Sequence, residues 1–275
     1  MRSERRTTIV EVLLLLGVSL GASALWSILR IIERTTRNVA LNQQSSQLNT
    51  SVTPDRPWLD LAYQLVGIGL GVVPALLALY LLRVRPGTAA PAPVEPSLGL
   101  ARRAPLRDGA DRRAPVRDGA DRRAPARALL HGLGLAALIG LPGLLLYVVG
   151  RQLGITTEVQ AANLSGAWWT VPVLVLSAVQ NAVLEEVVVV GYLLTRLRQI
   201  GLHPWVAIAI SAVLRGTYHL YQGFGPFLGN AVMGVVFGWY FTRTKRVLPL
   251  IVAHTVLDVV AFVGYTLAKG HLSWL

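Results

Sequence analysis

Six ionisable side chains stand inside apolar stretches of the last third of the sequence: Glu185, Glu186, Arg215, His219, His254 and Asp258. Arg215 and His219 are four residues apart, as are His254 and Asp258, so each pair shares one helical face a turn apart. Glu185 and Glu186 are consecutive and diverge by about 100° on a helix. One is therefore expected to enter a polar cavity while the other bonds to a neighbouring helix or backbone group. Asn181 lies one turn before Glu185 and extends its polar stripe. A carboxylate withdrawn from bulk water can act as a general base near neutral pH. An imidazole can hold the attacking water or donate to a developing oxyanion. Together these groups suit hydrolysis. They also suit an interhelical polar clamp, in which Arg215 neutralises a glutamate and the histidines are satisfied core residues.

The surrounding sequence says what must position them. The chain of 275 residues is 53% hydrophobic and only 15% charged, with a mean hydropathy of +0.52. A soluble domain carries about a quarter charged residues, so a water-soluble globule is excluded. Apolar runs at residues 10–32, 58–82, 129–150, 168–194, 205–221, 227–241 and 247–267 approach or reach the roughly 20 residues needed to cross a bilayer. The fold class read from them is an all-α, polytopic membrane bundle of about seven transmembrane helices. A central Asp, Arg or Lys costs about 2.5–3.5 kcal/mol on insertion scales, so the buried acids and Arg215 must meet one another, or water, inside that bundle. The first three spans hold nothing comparable, since Glu11 and Asp60 lie at span ends where snorkelling satisfies them. Gly234 and Gly238 form a small-xxx-small pair that lets helices approach closely.

The formal charge of +12 follows the membrane, not a nucleic acid. Arginine and lysine crowd every second connection: Arg2, Arg5 and Arg6, then residues 83–127, then Arg196 and Arg198, then Arg243, Lys245 and Arg246. This positive-inside pattern places the N-terminus in the cytoplasm and the C-terminus outside, in a multi-pass protein of the plasma membrane. Ala22-Ser23-Ala24 resembles a signal-peptidase site, but the apolar run continues past it to Ile32. Three regions follow. Residues 1–83 form a two-span N-terminal part, and residues 129–275 form a five-span core carrying the acids and imidazoles. Between them, residues 84–128 read as a disordered basic linker in which the ten-residue unit Arg102-Arg103-Ala104-Pro105-Leu106-Arg107-Asp108-Gly109-Ala110-Asp111 recurs. The linker is either a neutral spacer or a tether to anionic lipid headgroups.

The order and span placement of these motifs also resemble a known family. Glu185-Glu186, a histidine on the next span, the Gly234–Gly238 span and then His254-x-x-x-Asp258 are similar to the CPBP family of CAAX prenyl proteases and bacteriocin-processing intramembrane proteases. The family pattern is EExxxR, then FxxxH, then HxxxN or HxxxD. The resemblance implies an intramembrane endopeptidase that cuts a peptide or protein substrate near the cytoplasmic side. Glu185 would activate water with His219, His254 and Asp258 would hold oxyanion-stabilising positions, and Glu186 would support the site. Two positions depart from the pattern: the family's Arg falls on Val190, and its aromatic falls on Arg215. Arg215 is expected to replace the missing cation and hold one of the two glutamates. Two depths also differ, since His219 lies far along its span and His254 near the start of its own, so tilt or a break near Gly216 is expected to align them.

The chain has no cysteine, which removes thiolate nucleophiles and Cys metal sites. Two His plus carboxylates could hold zinc, but HExxH is absent, and the reading is a site with no cofactor and no metal. The rival classes are a non-catalytic scaffold or degenerate family member, and a proton-coupled transporter. The transporter is opposed by the lack of an inverted repeat.

Overall fold

The computed structural model describes residues 2–83, 124–164 and 166–268. The repeat at 102–126 therefore lies almost wholly outside the described residues. The chain is an all-α bundle: α1 (Arg2–Gly17), α2 (Leu20–Thr35), α3 (Pro57–Arg83), α4 (Ala124–Gln152), α5 (Thr170–Glu185), a π-helical segment (Glu186–Tyr192), α6 (Leu193–Gln199), α7 (Pro204–His219), α8 (Phe224–Thr244) and α9 (Leu248–Ala268). Helix α4 begins inside the stretch read from sequence as linker.

Among the described residues, five stretches are long and apolar enough to cross a bilayer: α3, most of α4, the continuous run Thr170–Gln199, α8 and α9. The run at 10–32, expected as one straight span, is instead α1 and α2, bent by 56°. The break has a chemical cause. Gly17 ends α1, and the Ser19 hydroxyl donates to the Leu15 carbonyl at 2.6 Å, competing with the backbone ladder. Helix α7 has 16 residues, a length of about 24 Å against a hydrocarbon core of about 30 Å. A count of seven holds only when the bent pair and this short helix are each included.

Two of the sequence expectations about span ends are corrected. Asp60 does not snorkel: it is fully buried, and it accepts from the Ser51 hydroxyl at 2.7 Å and the Val52 amide at 2.7 Å. Glu11 also turns inward. It accepts from the Tyr192 hydroxyl and from Arg196 Nε, both at 2.8 Å, and so ties α1 to the π-helical segment and α6.

Short α7 is held at both flanks. Toward α8 the contact is close: a Cβ on Gly234 would lie 2.7 Å from Ala212 Cα, and one on Gly216 would lie 2.8 Å from the Phe227 carbonyl oxygen. At its C-terminal end, a two-stranded parallel pair, β1 (Ser45–Gln47) and β2 (Glu158–Gln160), covers the turn into α8. Thr157 donates from its amide to Gln222 O at 2.9 Å, and Ser46 donates to Tyr221 O at 3.2 Å. The Tyr221 amide donates to Ser27 of α2 at 2.6 Å. Gly223, at φ +112°, makes this turn; a Cβ there would sit 2.5 Å from the Ile155 carbonyl oxygen.

Candidate active site in the bundle core

The site is built where α5 gives way to the π-helix. Val187, Val188, Val189 and Val190 follow Glu186 directly and are all fully buried. Four consecutive β-branched side chains crowd a normal α-helical turn, and the wider turn of a π-helix relieves this while leaving backbone carbonyls in need of donors. Ser211 on α7 supplies one, donating to Val189 O at 2.8 Å. The junction is thereby fixed against α7, and Glu185 and Glu186 stand at its start.

The two glutamates were expected to face different places. They leave the helix in different directions, yet their carboxylates converge on one atom. Arg215 Nη2 lies 2.5 Å from Glu186 Oε1 and 3.2 Å from Glu185 Oε2. Arg215 thus serves both acids rather than one. Its side chain is fully buried under the Phe237 ring, with the guanidinium carbon 5.4 Å from the ring centroid. Arg215 Cδ passes over Gly234, where a Cβ would stand in ordinary contact with it at 3.4 Å. Val190, at the position of the family's Arg, is buried among apolar neighbours.

His254 completes the inner ring. Its Nδ1 lies 2.7 Å from Glu186 Oε1, an acceptor, and 3.0 Å from Arg215 Nη2, a donor, while Nε2 points elsewhere. Nε2 stands 4.0 Å from Glu185 Oε2 and 3.6 Å from Asp258 Oδ1. His219 Nε2 stands 3.8 Å from the same Glu185 oxygen and has no hydrogen-bond partner. The alignment of His219 with His254 needs no break at Gly216, since α7 is continuous through it and ends at His219. Asn181 borders the ring beside Asp258. Exposure falls inward: His219 and Asp258 keep 20% of their side-chain surface, Glu185 10%, and Glu186 and Arg215 none.

One contributor was not foreseen. The Tyr218 hydroxyl donates to Glu185 Oε2 at 2.7 Å from a nearly buried side chain. Its sequence signal was its place three residues after Arg215, on the same helical face.

Among the described residues no group of three or more His, Asp or Glu is arranged to hold an ion. Moreover, the Arg215 cation sits on both glutamates, where a bound ion would need them free. The cavities at Arg151 and at Arg30 do not include these groups.

Residues 167–260 match the family described as type II CAAX prenyl endopeptidase, Rce1-like. Over this third of the chain the sequence is similar to that family. The matched stretch contains the two glutamates, Arg215, His219, His254 and Asp258, and it lies among the long apolar helices of a multi-pass membrane protein. No curated protein and no solved structure matches the chain.

Proposed function

We propose that the protein is an intramembrane endopeptidase in which Glu185 activates a water molecule. The observation that carries this reading is a set of gaps around Glu185 Oε2 and His254 Nε2. Three polar separations of 3.6–4.0 Å join Glu185, His219, His254 and Asp258, too long for direct hydrogen bonds and of the size that a bridging water spans. Glu185 takes a proton from that water as its oxygen adds to the scissile carbonyl carbon. His219 orients the water, and His254, as the imidazolium, donates from Nε2 to the oxyanion while Glu186 accepts its Nδ1 proton in a hydrogen bond. Collapse breaks the C–N bond, and the proton held by Glu185 passes to the leaving nitrogen. Asp258 orients His254 in this scheme, since an ionised carboxylate would repel an oxyanion. Arg215 and Tyr218 hold Glu185 in place.

No metal takes part in this scheme, so chelation should leave activity unchanged. The charge bias supports a cytoplasmic N-terminus, an outer C-terminus and residence in the plasma membrane. The β1–β2 cap covers the end of the bundle next to His219, which favours substrate entry from the opposite, basic end and cleavage toward the cytoplasm. The test is a comparison of membrane-peptide termini in cells carrying wild-type protein or Glu185→Gln. New termini beside membrane segments should appear only with wild type. Identical termini in both would overturn the reading.

A further inference from the structure

A second polar concavity opens at the far end of α2, outside the protease site. Arg30, Arg34 and Arg37 follow one another along this end of the chain and, with Glu33, Gln44 and Ser45, line a cavity of 540 Å³. Three guanidiniums face one carboxylate there, and Glu33 is engaged by Arg37. Arg34 donates to the Ser45 carbonyl at 3.0 Å, and Arg30 lies over the Tyr221 ring at 5.9 Å. The cavity keeps a cationic excess. It also holds an acceptor with nothing to accept. Gln44 Nε2 donates to the Arg34 and Val39 carbonyls at 3.0 and 2.9 Å, which fixes the amide, and its Oε1 is buried without a partner. An anion that also carries a hydroxyl group answers both features.

The approach to the cavity identifies the carrier of that anion. Leu25, Trp26, Leu29 and Ile32 on α2 are 67, 66, 57 and 52% exposed. This apolar face on a membrane helix leads directly to the arginines, as acyl chains lead to a phosphate. We propose that the cavity binds the phosphoglycerol headgroup of an anionic phospholipid. The phosphate sits among Arg30, Arg34 and Arg37, a glycerol hydroxyl donates to Gln44 Oε1, and the acyl chains lie along α2. The cavity stands at the end of the bundle away from the basic connections, so it is distinct from any attraction of the 84–128 segment to lipid. It also adjoins the α7–α8 turn, because Tyr221 contacts Arg30, Ser27 and Ser46. This site does not depend on the hydrolytic reading.

The test is native mass spectrometry of the detergent-solubilised full chain with three lipids of equal acyl composition: dioleoylphosphatidylglycerol, dioleoylphosphatidylcholine and dioleoylphosphatidylmethanol, the last having the same charge but no hydroxyl. Charge-assisted bonds should favour phosphatidylglycerol over phosphatidylcholine by about tenfold or more, with phosphatidylmethanol between them. Arg30→Gln with Arg37→Gln should erase the preference, and Arg30→Lys with Arg37→Lys should keep it. Equal retention of phosphatidylglycerol and phosphatidylcholine by the unaltered protein overturns the proposal whether or not the variants fold. An undiminished preference in the folded Gln variant overturns the siting. Displacement of phosphatidylglycerol by glycerol 3-phosphate alone would assign the cavity to a soluble phosphate ester and remove the lipid.

Discussion

Among the described residues, two buried arginines pair with glutamates in this bundle, and they are finished in opposite ways. Arg196 binds Glu11 through Nε at 2.8 Å, Gln199 through Nη1 at 2.8 Å and the Leu81 carbonyl through Nη2. Tyr192 donates to the same Glu11 oxygen. Every nitrogen has a partner, and the result joins α1, α3 and α6. Arg215 is more deeply buried, yet Nη2 alone carries its polar contacts; Nε, Nη1, Glu186 Oε2 and His219 Nε2 have none. A buried polar group without a partner costs about 1–3 kcal/mol, so a purely structural clamp would be built like the Arg196 cluster. On the proposed reading, the open groups at Arg215 await water and substrate. Burial of charge is common to both clusters; incompleteness belongs to one.

Substitutions separate the two. Glu185→Gln should lower peptide cleavage by roughly 100- to 10,000-fold, the usual contribution of a general base, with an unchanged melting curve. Arg215→Ala leaves two carboxylates facing each other in the core and should cost about 3–5 kcal/mol of stability together with activity. Glu11→Gln, at the finished cluster, should instead lower the melting temperature while cleavage per folded molecule, from active-site titration, stays at the wild-type value. Tyr218→Phe removes one hydrogen bond to a carboxylate, worth about 1.5–3 kcal/mol. It should reduce kcat by roughly 10- to 100-fold with little change in KM. Asp258→Asn should have the smallest effect, within a few-fold, since an amide can orient His254 as a carboxylate does. A large loss there would show that Asp258 does more than position the ring.

How much of this was legible in the sequence depends on the range of the interaction concerned. The membrane class, the four-residue spacings and the close approach at Gly234 are local or compositional, and the structure repeats them. Arg215 as the substitute for the family's Arg followed from its place on the adjacent helix; that it serves both glutamates did not. That convergence depends on the π-helix, and a run of four valines signals crowding without saying how the backbone will relieve it. Tyr218 was hidden because a tyrosine on an apolar helix reads as core until its hydroxyl has an address. Glu11 was misplaced because its partners, Tyr192 and Arg196, lie more than 100 residues away, and Asp60 because the loop before α3 folds back so that Ser51 and Val52 reach its carboxylate. The bend between α1 and α2 is the clearest miss, since hydropathy over residues 10–32 is blind to a serine hydroxyl competing for a carbonyl.

The central claim is that Glu185, held by Arg215 and Tyr218, activates the water that cuts the peptide bond. The most direct measurement is the initial rate of cleavage of one membrane-peptide reporter by purified, folded Glu185→Gln and Glu11→Gln proteins reconstituted in the same vesicles. We expect the first to fall at least 100-fold while the second stays near wild type. Cleavage by folded Glu185→Gln at the wild-type rate would contradict it.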